Sequence, residues 1–99
     1  MKVEILKTNK RLDVLVEGKL DALTAPELEE RLMPALADIQ TLIFDFSELK
    51  TISSAGLRVL LTAVKRMDDL GGNMVIKNAS DDVKKVFMLT GFIKVLNVQ

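Results

Sequence analysis

Between Thr41 and Asn78 the chain changes period twice. "TLIFDFS" (41–47) is a near-continuous apolar run, the pattern of a central strand buried on both faces and flanked by helices. From Ser54 to Leu70 apolar residues recur at helical spacing. Leu57, Leu60, Leu61, Val64 and Met67 form one stripe, and Arg58, Thr62, Lys65 and Arg66 fall on the other side. Gly71 and Gly72 stop that helix, and "NMVIKN" (73–78) again reads as a short strand. Strand, helix and strand in succession imply a right-handed crossover between parallel strands. This stretch commits the chain to a layered α/β fold.

The flanks extend the pattern. "VEIL" (3–6) and "RLDVLVEG" (11–18) predict two strands joined by the polar turn "TNK". In the second, Leu12, Val14 and Val16 share one face, with Asp13, Leu15 and Glu17 on the other. An antiparallel hairpin with one partly wet face follows. In "GKLDALTAPELEERLMPALADIQ" (18–40), Thr24 and Glu27 have the spacing of a capping box, and Pro26 suits a first turn. Leu28, Leu32, Leu36 and Ile39 make the buried stripe of this helix. Pro34 lacks the N–H of the helical ladder, so a kink or a tightened final turn is expected there. Ser80 is placed to cap a third helix, with Asp81 and Asp82 in its first turn. Val83, Val86, Phe87 and Thr90 face inward, Gly91 ends the helix, and "FIKVLNV" (92–98) reads as a last strand. The expected order is β-β-α-β-α-β-α-β: one α/β domain over residues 1–99, with a small mixed, mostly parallel sheet, an N-terminal hairpin and covering helices.

Composition narrows the function. The chain has 99 residues, 14 basic and 14 acidic, and no charge block, so the electrostatic footprint of a nucleic-acid binder is missing. It contains neither cysteine nor histidine. That removes thiol catalysis, Cys-ligated metal, the Ser–His pair of a hydrolase and the commonest metal ligand. No stretch reaches the ~20 apolar residues of a membrane span. No cofactor is implied, and a cytoplasmic protein, monomeric or weakly dimeric, is expected.

In open α/β sheets, sites form in loops beyond the carboxyl ends of parallel strands. Three such loops are expected at one rim. The first carries Gly18, Asp21 and Thr24; the second Ser47, Thr51, Ser53 and Ser54; the third Asn78 and Ser80. At Ser53 and Ser54 an N-capping hydroxyl is one reading. A phosphorylated or anion-binding helix start is the other, because free N–H groups and the helix dipole favour negative charge. Gly56 would let another chain or a phosphate approach the backbone. Asp21 and Asp45 could form a carboxylate pair for acid–base work or Mg²⁺, or be simply a turn residue and a strand-end charge; no Walker-type loop or further ligand set accompanies them. Phe44, Phe46, Phe87 and Phe92 lie in apolar surroundings and read as core.

Four stretches, "GKLDALTAPELEERL", "TLIFDFSELKTISSAGLRVLL", "LGGNMVI" and "TGFIKVL", resemble the STAS domain, and among its members the bacterial anti-sigma factor antagonists. The G-x-L-D motif is Gly18, Leu20 and Asp21, and the serine loop with its following Gly-Leu is Ser53 to Leu57. The resemblance implies a non-catalytic docking module. Its partners would be an anti-sigma factor that is a serine kinase and a PP2C-type phosphatase that reverses the kinase. It implies phosphorylation of Ser54, two residues before Gly56, with Asp21, Thr24, Ser53, Ala55, Gly56, Arg58 and Thr62 on the docking face. The sequence departs from the family where aspartate often precedes the acceptor (here Ser53) and serine often follows it (here Ala55), which keeps Ser53 as a second candidate acceptor. The same module could instead serve a lipid-transport ABC complex or a stress-signalling scaffold. A nucleotide or small-anion binder at the same helix start is a third reading.

Overall fold

In the computed structural model, which describes residues 1–99, the chain begins with the hairpin. Strands β1 (Lys2–Thr8) and β2 (Arg11–Leu20) pair antiparallel from Lys2↔Glu17 to Thr8↔Arg11. Asn9 closes the turn at φ 55°, a left-handed conformation that asparagine tolerates. Helix α1 (Ala25–Ala35), β3 (Thr41–Asp45), β4 (Leu49–Ile52), α2 (Ser54–Asp69), β5 (Asn73–Lys77) and α3 (Asp81–Thr90) follow, with a short 3₁₀ helix at Phe92–Lys94. The sheet runs β1-β2-β3-β5; β3 is parallel to both β2 and β5.

β2 is the organising strand. Residues Arg11–Leu15 pair with β3, and Gly18–Leu20 pair in parallel with β4. The register shifts between Gly18 and Lys19, where Gly18 adopts φ 90° and donates its N–H to the Glu48 carbonyl at 2.9 Å. The sequence reading has no β4. "LKTI" is too short and too mixed to carry a period of its own, and only its pairing with β2 makes it a strand.

One core holds the layers together. Leu12, Val14 and Val16 of β2, Leu42 and Phe44 of β3, and Ile76 of β5 meet Leu28 and Leu32 of α1, Leu57, Leu60, Ala63 and Met67 of α2, and Val83 and Phe87 of α3. Burying each large side chain contributes roughly 1.5–3 kcal/mol. The Phe44 and Phe46 rings add a tilted contact, centroids 5.5 Å apart. Val59 is also buried, whereas Leu61 and Val64, expected in the stripe, are only half-buried.

The expectation of helices on both faces of β3 is corrected. Every buried helical side chain belongs to this one core. On the opposite face Leu6, Asp13, Ile43 and Val75 stand in one cross-strand row, and no helix covers it. Leu6 at its edge is 65% exposed, yet Ile43 and Val75 reach 8% each through their strand neighbours. The apolar run therefore reflects a central position in the sheet rather than two helical layers.

Three further expectations change. "FIKVLNV" is not a strand: Gly91 at φ 82° turns the chain, and Val95 and Leu96 both donate to the Phe92 carbonyl, closing tight turns. Only Val98 then bridges β5, at Ile76. Thr90 is exposed, its hydroxyl returned to the Val86 carbonyl at 2.7 Å. Thr24 occupies the N-cap position of α1, but its side chain accepts no bond from the helix; only its carbonyl does, from Leu28 N–H at 3.2 Å. Pro34 does tighten the end of α1, where Leu36 N–H reaches back only to Met33. Ser80 caps α3 as expected, accepting from Val83 N–H at 3.2 Å.

Candidate functional site

Strands β2, β3, β4 and β5 all run parallel, so the loops after them share one rim. The first is the turn after β2. The Asp21 carboxylate accepts the N–H groups of Leu23 (3.0 Å) and Thr24 (3.2 Å). Thr24 Oγ1 donates to the Lys19 carbonyl (2.8 Å) and accepts the Asp21 N–H (2.9 Å). The side chain that sequence spacing assigned to a capping box thus ties the turn to its strand, and the Asp21 carboxylate braces the turn ahead of α1. The Leu23 N–H, with help from Thr24 and Lys19, holds the Asp21 carboxyl below the usual range against the cost of desolvation. Held from both ends, the turn displays Leu23, 90% exposed.

The second loop leaves β4 rather than β3. Ser53 is extended (φ −103°, ψ 178°), its N–H donates to the Leu20 carbonyl (2.9 Å), and its own carbonyl accepts Leu57 N–H (3.0 Å). Its backbone therefore performs the boundary, while its Oγ is buried without a hydrogen-bond partner. Ser54 opens α2 and is exposed. Gly56 is buried. A Cβ there would lie 2.8 Å from Ile52 Cγ1 and from Leu20 Cγ, and 3.0 Å from the Leu20 carbonyl oxygen. The close approach expected for a partner or phosphate is made instead by the chain's own β2, which seats the start of α2 against the rim.

The third loop braces the rim. Asn78, at φ 62°, donates from its amide to Asp45 Oδ1 at 3.3 Å, and Ser47 N–H reaches the same oxygen at 2.9 Å. Partial burial works against the Asp45 charge, but these bonds and Lys77 together hold its carboxyl below the usual range. Asp21 and Asp45, considered as a reactive pair, are each occupied in holding their own loop. Ser80 is occupied by its cap.

Two grooves flank the N-terminal half of α2. One, about 210 Å³, lies against α1 between Ala22, Ala25, Pro26 and Glu29 on one side and Ala55, Arg58, Val59 and Thr62 on the other. The other, about 250 Å³, is lined by Ser54, Leu57, Arg58, Leu61, Thr90 and Phe92. Arg58 borders both. Thr62 gives its hydroxyl to the Arg58 carbonyl at 3.0 Å, so it offers the groove mainly its methyl. Of the residues singled out in the sequence, Ala55, Arg58 and Thr62 come together in the first groove, and Ser54 and Arg58 in the second. Asp21 and Thr24 shape the neighbouring turn, and Gly56 and the Ser53 hydroxyl are interior. The sequence reading missed Leu61, Thr90 and Phe92 as groove walls. The one available signal is Gly91, a helix stop directly before Phe92; the strand expected over 92–98 would carry Phe92 away from Ser54.

The family model for the STAS domain matches residues 2–99. The chain belongs to the STAS family. Its curated relatives include the anti-sigma-B factor antagonists of Bacillus subtilis (24% identical, covering 97% of this chain and 88% of the relative) and Staphylococcus aureus (27%, covering 99% and 92%). Among solved structures, the anti-sigma factor antagonist SpoIIAA in its unphosphorylated form superposes with a TM-score of 0.78 (18% identical, covering 99% and 87%). The phosphorylated form of Bacillus SpoIIAA gives 0.78 as well (19%, covering 99% and 91%). As a STAS domain the chain has the expected small α/β fold, and none of its helices is long and apolar enough to cross a membrane.

Proposed function

We propose that this STAS domain is an anti-sigma factor antagonist. It binds an anti-sigma factor that is a serine kinase, frees the sigma factor, and is switched off by phosphorylation of Ser54. The observation that carries the reading is the contrast at the start of α2: an exposed Ser54 hydroxyl beside a Ser53 hydroxyl that is buried. Transfer needs the attacking oxygen in line with the γ-phosphorus, within about 3–3.5 Å, and only Ser54 offers that without opening the fold. The Ser54 oxygen forms a bond to the γ-phosphorus as the bond to the β–γ bridging oxygen breaks. ADP leaves, and the hydroxyl proton passes to a base of the kinase. A PP2C-type phosphatase returns the serine by hydrolysis.

Relatives named as antagonists, and a structural neighbour solved with its phosphate, support this reading. The docking face comprises Asp21, Thr24, Ser53, Ala55, Gly56, Arg58 and Thr62, with Asp21, Thr24, Ser53 and Gly56 acting by shaping the rim. The chain is a docking partner and phosphoacceptor rather than a catalyst, and its place of action is the cytoplasm. Phosphate adds about −1.5 to −2 charges at a helix N-terminus, where free N–H groups stabilise it, so the fold survives and docking changes. Calorimetric titration of the anti-sigma kinase with the unmodified and Ser54-phosphorylated domain tests this. Tight binding of the first and at least about tenfold weaker binding of the second, 1.4 kcal/mol, is the expected result. Equal affinities, or none in either form, would refute the switch.

A further inference from the structure

Arg58 stands out among the charged residues of the rim. It lies at the junction of the two grooves, and its guanidinium enters neither of the chain's two ion pairs, Lys2–Glu4 and Arg11–Asp13, nor any side-chain hydrogen bond. Glu29 of α1, the other charged group lining the grooves, does not pair with it. Arg58 also follows Ser54 by four residues on α2, the spacing at which helical side chains meet, about 6 Å along the axis. The groove that contains both is walled by Leu57, Leu61 and Phe92.

Resting on the assignment of Ser54 as the phosphoacceptor, we propose that Arg58 reads the phosphate state. With Ser54 unmodified, the guanidinium receives a carboxylate from a partner segment whose apolar side chains enter the flanking grooves. With phosphate on Ser54, the guanidinium turns one helical turn back and clasps it. An unpaired cation between apolar walls calls for an acidic–apolar segment, because the planar guanidinium binds carboxylate and phosphate alike with paired N–H groups. Phosphorylation then acts twice: it places charge at the mouth of an apolar groove, and it withdraws the cation that the partner needs.

The clasp is testable without a partner. Phosphoserine is incorporated at position 54 during translation, in the parent chain and in Arg58→Met, which keeps the apolar stem. The second ionisation of the phosphate is followed by ³¹P NMR. The expected midpoint in the parent is at least about half a pH unit below that of the variant, a threefold weaker hold on the proton. Coincident midpoints in two folded proteins would overturn the clasp. The docking role is read with the anti-sigma kinase. Arg58→Met should weaken binding of the unmodified domain about tenfold and flatten its salt dependence. The phosphate should then cost the variant at least threefold less affinity than the parent. Unchanged binding by Arg58→Met would overturn it. A domain that no kinase modifies would defeat the Ser54 reading while leaving the ³¹P comparison to decide the pairing on its own.

Discussion

Two adjacent serines differ because they stand on opposite sides of a helix boundary. Ser53 donates its N–H to β2 and turns its hydroxyl inward, where it finds no acceptor. A buried hydroxyl without a partner carries a desolvation cost, so Ser53→Ala should leave stability unchanged or raise it by up to about 1 kcal/mol. Urea unfolding checks this, and a loss of that size would mean the hydroxyl is bonded. Gly56→Ala is the opposite case. Its new methyl would press on the Leu20 carbonyl and on two packed side chains, for an expected loss of about 1–3 kcal/mol by the same measurement. The residue types at this site were legible in the sequence: a hydroxyl and a glycine at a strand-to-helix junction. Which hydroxyl is exposed, and what the glycine admits, depended on where β2 ends in space.

At the scale of elements, strong periods were readable and short or borrowed ones were not. The hairpin, α2, β5 and the Ser80 cap follow from local pattern and chemistry. β4 exists because the last residues of β2 offer it a partner, and the 3₁₀ segment exists because Gly91 takes φ 82°; neither has a period to detect. Gly91→Ala should therefore cost about 1 kcal/mol, and it should shift NMR signals of Thr90 and Phe92 in the groove beside Ser54. A variant with parent stability would indicate a different turn. The turn after β2 has its own signature. Because Leu23 and Thr24 N–H groups donate to Asp21, their amide shifts should titrate together, with a midpoint below the ordinary Asp value of about 3.9. A midpoint at or above that value would remove the proposed brace.

Across the whole molecule, a single helical layer on one face of the sheet leaves the carboxyl-end rim as the place where three loops converge. Asp21 and Asp45 both titrate low in the folded state, so each contributes stability that is fully present above its unfolded pKa, about 3.9, and is lost as pH falls through its depressed folded value. The urea midpoint should be level from neutrality to about pH 5 and then fall, less steeply in Asp45→Asn. Both braces of the rim are therefore charged at neutral pH. Ser54 is the proposed switch on this rim. Phosphosite mapping by mass spectrometry, after incubation with the anti-sigma kinase and ATP, tests it most directly. One phosphate is expected, on Ser54, and none in Ser54→Ala; phosphate on Ser53, elsewhere only, or nowhere would overturn the switch.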